Sequence, residues 1–163
     1  MATFIQIESV TPDDSARTPI EVRPAVIADI PALADLIRPY VDEGTLLART
    51  LDEFEELLPG FLVAVLHDDA DADRIVGCVT LEIYSRKLAE IRSLAVAPEM
   101  QGMGIGRLLV EACIERAREQ HVFEVMAVTA QDGFFQSLGF DYTLSGVKRA
   151  LFIQTRDQYA SPE

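Results

Sequence analysis

The sequence predicts an α+β domain with one central, mixed but mostly antiparallel sheet and helices on both faces. Three observations carry that expectation. Apolar runs of strand length at 61–66, 75–84 and 88–96 follow one another with short turns between them, which predicts an antiparallel meander. Ile105, Leu108, Leu109, Ala112, Cys113 and Ala117 form one apolar stripe at helical spacing, marking a long helix over about 104–120. Strand, helix and strand then alternate across 88–129, the pattern of a right-handed parallel crossover.

The remaining elements follow in order. Residues 1–20 are weakly patterned: Phe4-Ile5-Gln6-Ile7 has the character of a short strand, and a polar stretch with Pro12 and Pro19 reads as an arm or linker. The domain is expected over 21–157, with 158–163 as a tail. Glu21-Val22-Arg23-Pro24-Ala25 opens it as a strand. Asp29 and Pro31 start a helix that runs to about Arg38, where Pro39 and then Gly44 are expected to break it. Thr50-Leu51-Asp52-Glu53 is a capping box, and its helix ends before Pro59-Gly60. Asp68, Asp69, Asp71 and Asp73 lack the central Gly and terminal Glu of an EF-hand and read as a solvated hairpin turn. Pro98 stops the third meander strand. A strand over 122–129, a short helix over 131–138 closed by Gly139, and strands at 141–144 and 147–155 complete the chain.

A chain of 163 residues, 49% hydrophobic and 25% charged, fits one soluble domain with a real core. No apolar run reaches the ~20 residues that span a bilayer, and the N-terminus lacks the basic start and apolar region of a signal peptide. The cytoplasm is the expected compartment. The net charge of −13 argues against nucleic acid and against an anionic membrane surface as partners, because phosphate binding needs clustered Lys and Arg. Cys78 and Cys113 share no short spacing with each other or with a histidine, so neither a disulfide framework nor a metal site is expected. Both fall in apolar patterns and read as small buried hydrophobes.

The most informative segment is Gln101-Gly102-Met103-Gly104-Ile105-Gly106-Arg107, between a strand and the long helix. Alternate glycines remove the Cβ atoms that would hold the backbone away from a ligand. The first helical turn offers unpaired N–H groups and the positive end of the helix dipole, which together make a phosphate cradle. A dinucleotide fingerprint starting at Gly102 would need glycine at position 107, which is Arg107; one starting at Gly104 would need it at position 109, which is Leu109. A P-loop would need Gly-Lys-Ser/Thr, which the chain lacks.

In its fixed positions, Gln101, Gly104 and Gly106, this segment resembles the Gln/Arg-x-x-Gly-x-Gly/Ala signature of the GNAT superfamily of N-acetyltransferases. Leu94-Ala95-Val96-Ala97-Pro98 resembles the family's preceding strand end, and Phe134-Phe135-Gln136-Ser137-Leu138-Gly139-Phe140 its last helix. The resemblance covers about 21–155. It implies a GNAT-type fold in which the strand before the glycine motif splays from its parallel neighbour and leaves a V-shaped gap. It further implies acetyl-CoA as co-substrate, with no metal. The pyrophosphate would lie on Gln101, Gly102, Met103, Gly104, Ile105, Gly106 and Arg107, and the pantetheine on the backbone of Leu94, Ala95 and Val96. Homodimers are common in the superfamily.

Acetyl transfer to an amine requires loss of a proton from an ammonium whose ordinary pKa is about 8 or higher. By family position the candidate base is Glu90, with Glu82 in reserve; a strand ion pair between Glu90 and Arg92 is the structural alternative. The backbone N–H groups near Leu94 to Val96 are the implied oxyanion donors. Many relatives carry a tyrosine acid in the last helix, where this chain has Phe135, so water or a hydroxyl such as Thr129 would serve, or no acid at all. Leu46-Leu47-Ala48-Arg49-Thr50, Phe61-Leu62-Val63-Ala64 and the segment from Glu90 to Val96 are similar to short bacterial N-acetylglutamate synthases. That similarity implies a small-molecule amine acceptor, an amino acid such as glutamate, with Arg49 and Arg92 as carboxylate-binding candidates. A non-catalytic acetyl-CoA sensor and a peptide or protein N-acetyltransferase stay open at this point.

Overall fold

A computed structural model of the chain describes residues 20–67, 73–142 and 150–151. They fall into two compact units, one reaching Val128 and the other starting at Thr129. The expected N-terminal arm up to residue 19, most of the aspartate turn and most of the last strand pair lie outside the described residues; Asp141, Tyr142, Ala150 and Leu151 of that pair are described and are not in a strand.

The first unit is a five-stranded sheet in the order β1 (Ile20–Pro24), β2 (Phe61–Leu66), β3 (Arg74–Ser85), β4 (Leu88–Val96) and β5 (Glu124–Ala127). β1 to β4 pair antiparallel, with Phe61 opposite Thr80 and Glu82 opposite Glu90. β5 joins β4 in parallel. Strand alternation gives this sheet two buried faces. Phe61, Val63, Val65, Cys78 and Ala95 pack with Ile30, Leu33 and Ile37 of α1 (Ile30–Asp42) and Phe54 of α2 (Leu51–Leu57). The opposite face meets α3 (Ile105–Glu119): a Cβ at Gly77 would stand 3.0 Å from both Ile105 and Leu109. Glycine there lets α3 lie tight against the sheet and sets the depth of its N-terminus.

The helix boundaries follow local chemistry. Thr50 Oγ1 accepts the Glu53 N–H at 3.2 Å and Glu53 Oε2 accepts the Thr50 N–H at 2.7 Å, the reciprocal box expected from sequence. Pro39 does not end α1 as expected but lies inside it. A proline forfeits one backbone donor; here Leu33 and Ile37 before it and Tyr40 and Val41 after it pack on the core and anchor the helix on both sides of that loss. On α3 the buried stripe is Ile105, Leu109, Val110, Cys113 and Ala117, while Leu108 is exposed. β5 is shorter than the pattern suggested, because only four of its residues pair with β4.

Cys78 and Cys113 are free and buried, and burial pushes both thiols up to about 12, so they act as apolar packing groups. His67 bridges the β2–β3 turn to β1, with Nδ1 2.8 Å from Asp73 and Nε2 2.9 Å from Glu21. The first turn after β1 is closed by Asp29, which accepts two bonds from Arg23, at 2.7 and 3.0 Å, and one from the Val26 N–H at 2.8 Å.

In the second unit, α4 (Asp132–Gln136) is followed by Gly139 at φ 91, the helix-ending glycine read from sequence. Phe135 meets Phe134 and Phe140 edge-on, with centroids 5.1 and 5.3 Å away. Thr129 Oγ1 accepts the Gln131 N–H at 2.8 Å.

The Arg23 bonds, followed by the Val26 N–H, hold the buried Asp29 carboxyl below its ordinary value. A depressed folded-state pKa stabilises the fold above the unfolded value, near 3.9, and that contribution disappears as pH falls through the folded value. Asp29→Asn is expected to cost about 2 kcal/mol at pH 7. In urea melts from pH 7 to pH 3, the gap between wild type and variant should close on acidification.

Candidate active site

The site is organised by what happens to β4 at its midpoint. Leu88, Ala89, Glu90 and Ile91 pair with β5, but Arg92 to Val96 have no β5 partner. Between Thr80↔Arg92 and Cys78↔Ala95, β4 carries one residue more than β3, a β-bulge. Ser93 sits in it with φ 53, the left-handed region that a non-glycine residue rarely takes. Two contacts hold Ser93 there: Arg49 Nη2 and Nε donate to its Oγ at 2.9 and 3.2 Å, and its carbonyl lies 3.5 Å from Cys78 Sγ.

Beyond the bulge, the Ala97 N–H donates to the Val76 carbonyl of β3 at 2.8 Å. The Val96 carbonyl, across the same trans peptide, therefore points away from β3, into the open side of β4. Alternation places the polar backbone groups of Leu94 on that side too and turns those of Ala95 toward β3. The edge is thus open at Leu94 and Val96, whereas Ala95 is buried and its backbone faces β3.

A turn over Pro98–Met100 leads to Gln101. Gly102 (φ 77) and Gly104 (φ 84) are left-handed, and Gly104 is the N-cap of α3. Nothing lies within 4 Å of where a Cβ at either would stand, so the loop forms an open cradle in front of the first turn of α3. Ile105 is buried and offers only its backbone, Met103 is exposed, and Arg107 reaches Glu111 at 3.4 Å. Donors and concavity fit a pyrophosphate. One further contact joins edge and cradle: Tyr40 Oη donates to the Val96 carbonyl and accepts from Gln101 Nε2 at 2.7 Å.

On the α1–α2 face of β3 and β4, four polar side chains converge. Glu82 and Glu90 are direct cross-strand partners, an arrangement that like charges disfavour. Arg92 Nη1 pairs with Glu82, not with Glu90. Tyr84 Oη donates to Glu90 and lies 3.4 Å from Glu82. Burial, then the Glu90 carboxylate, pushes the Tyr84 phenol up to about 12, so it stays a neutral donor. Burial first and the Arg92 charge second draw the Arg49 guanidinium below its ordinary value. No carboxylate of the described residues forms an ion pair with Arg49.

Glu90, Arg92, Arg49 and the glycine loop were singled out from the sequence, and the structure places Glu90, Arg92 and Arg49 on one sheet face, with Arg92 taken up by Glu82; Tyr84, Ser93 and Tyr40 were not singled out. Tyr84 was legible in principle, because alternation from Glu82 puts it on the same strand face. Ser93 and Tyr40 act through contacts 44 and 56 residues away in sequence, and no local pattern signals them.

The sequence profile of the acetyltransferase (GNAT) family matches residues 30–140. An uncharacterized N-acetyltransferase of Chlorobaculum tepidum is 39% identical over 119 residues, 73% of this chain and 74% of that one. An amino-acid acetyltransferase of Mycobacterium tuberculosis is 35% identical over 119 residues, 73% and 67% of the two chains. Among solved structures, a Mycobacterium tuberculosis protein in complex with CoA and a second ligand, NLQ, superposes with TM-score 0.69 at 33% identity, covering 78% of this chain and 76% of the other. N-acetylglutamate synthase from Neisseria gonorrhoeae, complexed with coenzyme A and N-acetyl-glutamate, superposes with TM-score 0.65 at 28% identity, but over 76% of this chain and only 28% of that one. The chain belongs to the acetyltransferase (GNAT) family. It is an N-acetyltransferase that takes its acetyl group from acetyl-CoA.

Gly104→Val would strain a left-handed position and fill the cradle with a branched side chain. The expected result is an acetyl-CoA KM raised by at least ~10-fold, measured by following CoA release.

Proposed function

We propose that the chain acetylates the α-amino group of a free amino acid, with glutamate as the first acceptor to test. The observation that carries this reading is Arg49, a half-buried guanidinium without a carboxylate partner among the described residues, on the sheet face that holds Glu90. A zwitterionic amino acid fits such a site: its carboxylate takes the arginine fork and its ammonium faces the carboxylate. Support also comes from the amino-acid acetyltransferases among the relatives and from the synthase bound to N-acetyl-glutamate.

Acetyl-CoA supplies an activated acyl group with a thiolate as leaving group. Glu90 takes the proton of the ammonium, and Tyr84 aims that carboxylate while leaving one of its oxygens available. Arg92 occupies Glu82, which leaves Glu90 as the accessible base. The freed amine attacks the acetyl carbon in a ternary complex, and the C–S bond breaks as the C–N bond forms. Negative charge developing on the acetyl oxygen is met by the outward N–H groups on the open edge of β4. The thiol pKa, near 8.5, lets the thiolate depart without a dedicated acid. Phe135 at the family's tyrosine position is compatible with that route.

The test is CoA release from acetyl-CoA with each common amino acid, polyamines and short peptides. Turnover is expected with an amino acid. Glu90→Gln should lower kcat by about 10²–10³. Arg49→Ala should raise the acceptor KM by about 10–100-fold. Tyr84→Phe, which leaves Glu90 in place but unaimed, should lower kcat about 10-fold. Turnover confined to peptides or polyamines would overturn the amino-acid reading.

A further inference from the structure

We propose that Tyr40 is a cofactor-positioning residue: its hydroxyl locks the pantetheine edge of β4 to the pyrophosphate loop, so that acetyl-CoA meets both halves of its site already in register. The proposal rests on the acetyl-CoA dependence of the enzyme and needs no knowledge of the acceptor.

The geometry places one hydroxyl between two stretches of backbone that bind different parts of one long ligand. Toward β4, Tyr40 Oη donates to the Val96 carbonyl, the last polar group of the unpaired edge. Toward the loop, it accepts from Gln101 Nε2 at 2.7 Å, at the residue that opens the glycine cradle. Val96 and Gln101 are separated by the Pro98–Met100 turn, and no ladder bonds run between them. The turn is closed locally by the Met100 N–H on the Ala97 carbonyl at 2.8 Å and the Gln101 N–H on the Pro98 carbonyl at 3.4 Å, and Tyr40 adds a side-chain brace that spans it from Val96 to Gln101. A carbonyl oxygen has two lone pairs, so Val96 keeps one for an amide N–H of the pantetheine while Tyr40 uses the other.

Tyr40 is itself well anchored. Its ring packs against the core cluster under α1, with Ile37 and Phe54 among its members. Its own carbonyl accepts from the Thr45 N–H at 2.9 Å, the Leu46 N–H at 3.0 Å and Thr45 Oγ1 at 2.9 Å, fixing the last turn of α1. That turn leads directly to Arg49. The phenol is thus held from behind by packed apolar surface and points at the stretch of β4 that β5 does not cover. A purely structural tyrosine gains most by capping a buried orphan group, whereas this one spends its bond on an edge that ligand must also use. Ordering both halves of a site before binding lowers the entropy lost when the ligand arrives.

The test compares acetyl-CoA affinity, by titration calorimetry, for the full chain and for Tyr40→Phe, Gln101→Leu and the double variant. Phenylalanine keeps the ring and removes only the hydroxyl. The expected Kd for acetyl-CoA rises about 5–30-fold in Tyr40→Phe. Gln101→Leu should weaken binding similarly, and the double variant should be little worse than either single one, because both remove the same brace. In steady state the acetyl-CoA KM should rise while kcat and the acceptor KM stay within twofold. The cofactor-free melting midpoint should shift little. A Kd in Tyr40→Phe within twofold of wild type would overturn the proposal. So would losses that simply multiply in the double variant, or a loss that falls on kcat alone.

Discussion

The site depends on one constraint: β4 pairs with β3 on both sides of its bulge, from Leu88 to Val96, but with β5 for only four residues. Strands normally satisfy both rows of backbone groups, and an exposed edge invites pairing with whatever extended chain arrives. Here β5 stops at Ala127, and the bulge at Ser93 turns the remainder of β4. The consequence is a short length of unpaired backbone inside the fold, which an amide-bearing ligand can complete as a strand would. That the bulge is held by Arg49 and Cys78, from outside its own strand, shows how a costly backbone conformation is stabilised by the surrounding fold.

The same bulge connects the two halves of the chemistry. Before it, alternation aims Glu90 and Arg92 at the face shared with Glu82 and Tyr84; after it, backbone polar groups face the open edge. One extra residue therefore sets the direction of the polar side chains and of the open backbone groups at neighbouring positions along a single strand. The cross-strand carboxylates Glu82 and Glu90 would repel if left alone. Arg92 neutralises one and Tyr84 donates to the other, so the pair is differentiated: a structural ion pair beside a hydrogen-bonded carboxylate. Arg49 beside them is drawn below its ordinary value by burial and then by the Arg92 charge, and no carboxylate of the described residues forms an ion pair with it.

Acidic composition and an anionic cofactor are not in conflict. A chain of net charge −13 can still take a phosphate where backbone N–H groups and a helix N-terminus make a locally positive place, an attraction that is local and independent of net charge.

Periodicity and turn chemistry made most of the fold legible in the sequence. The meander, the long helix after the glycines, the capping box at Thr50 and the helix-ending Gly139 are dictated by interactions within a few residues of each other, so their order and type follow from local pattern. The glycine loop in front of α3 was legible for the same reason, because glycines that turn the chain into a helix start are a local device. What only the tertiary structure decided are the contacts that cross long stretches of sequence: Arg92 pairing with Glu82 instead of Glu90, Arg49 holding the bulge at Ser93, and Tyr40 joining Val96 to Gln101. Each depends on strand register and on the depth to which helices pack on the sheet, and both are set by the whole core. Local sequence determined which elements form; the packing of those elements determined which side chains share a site.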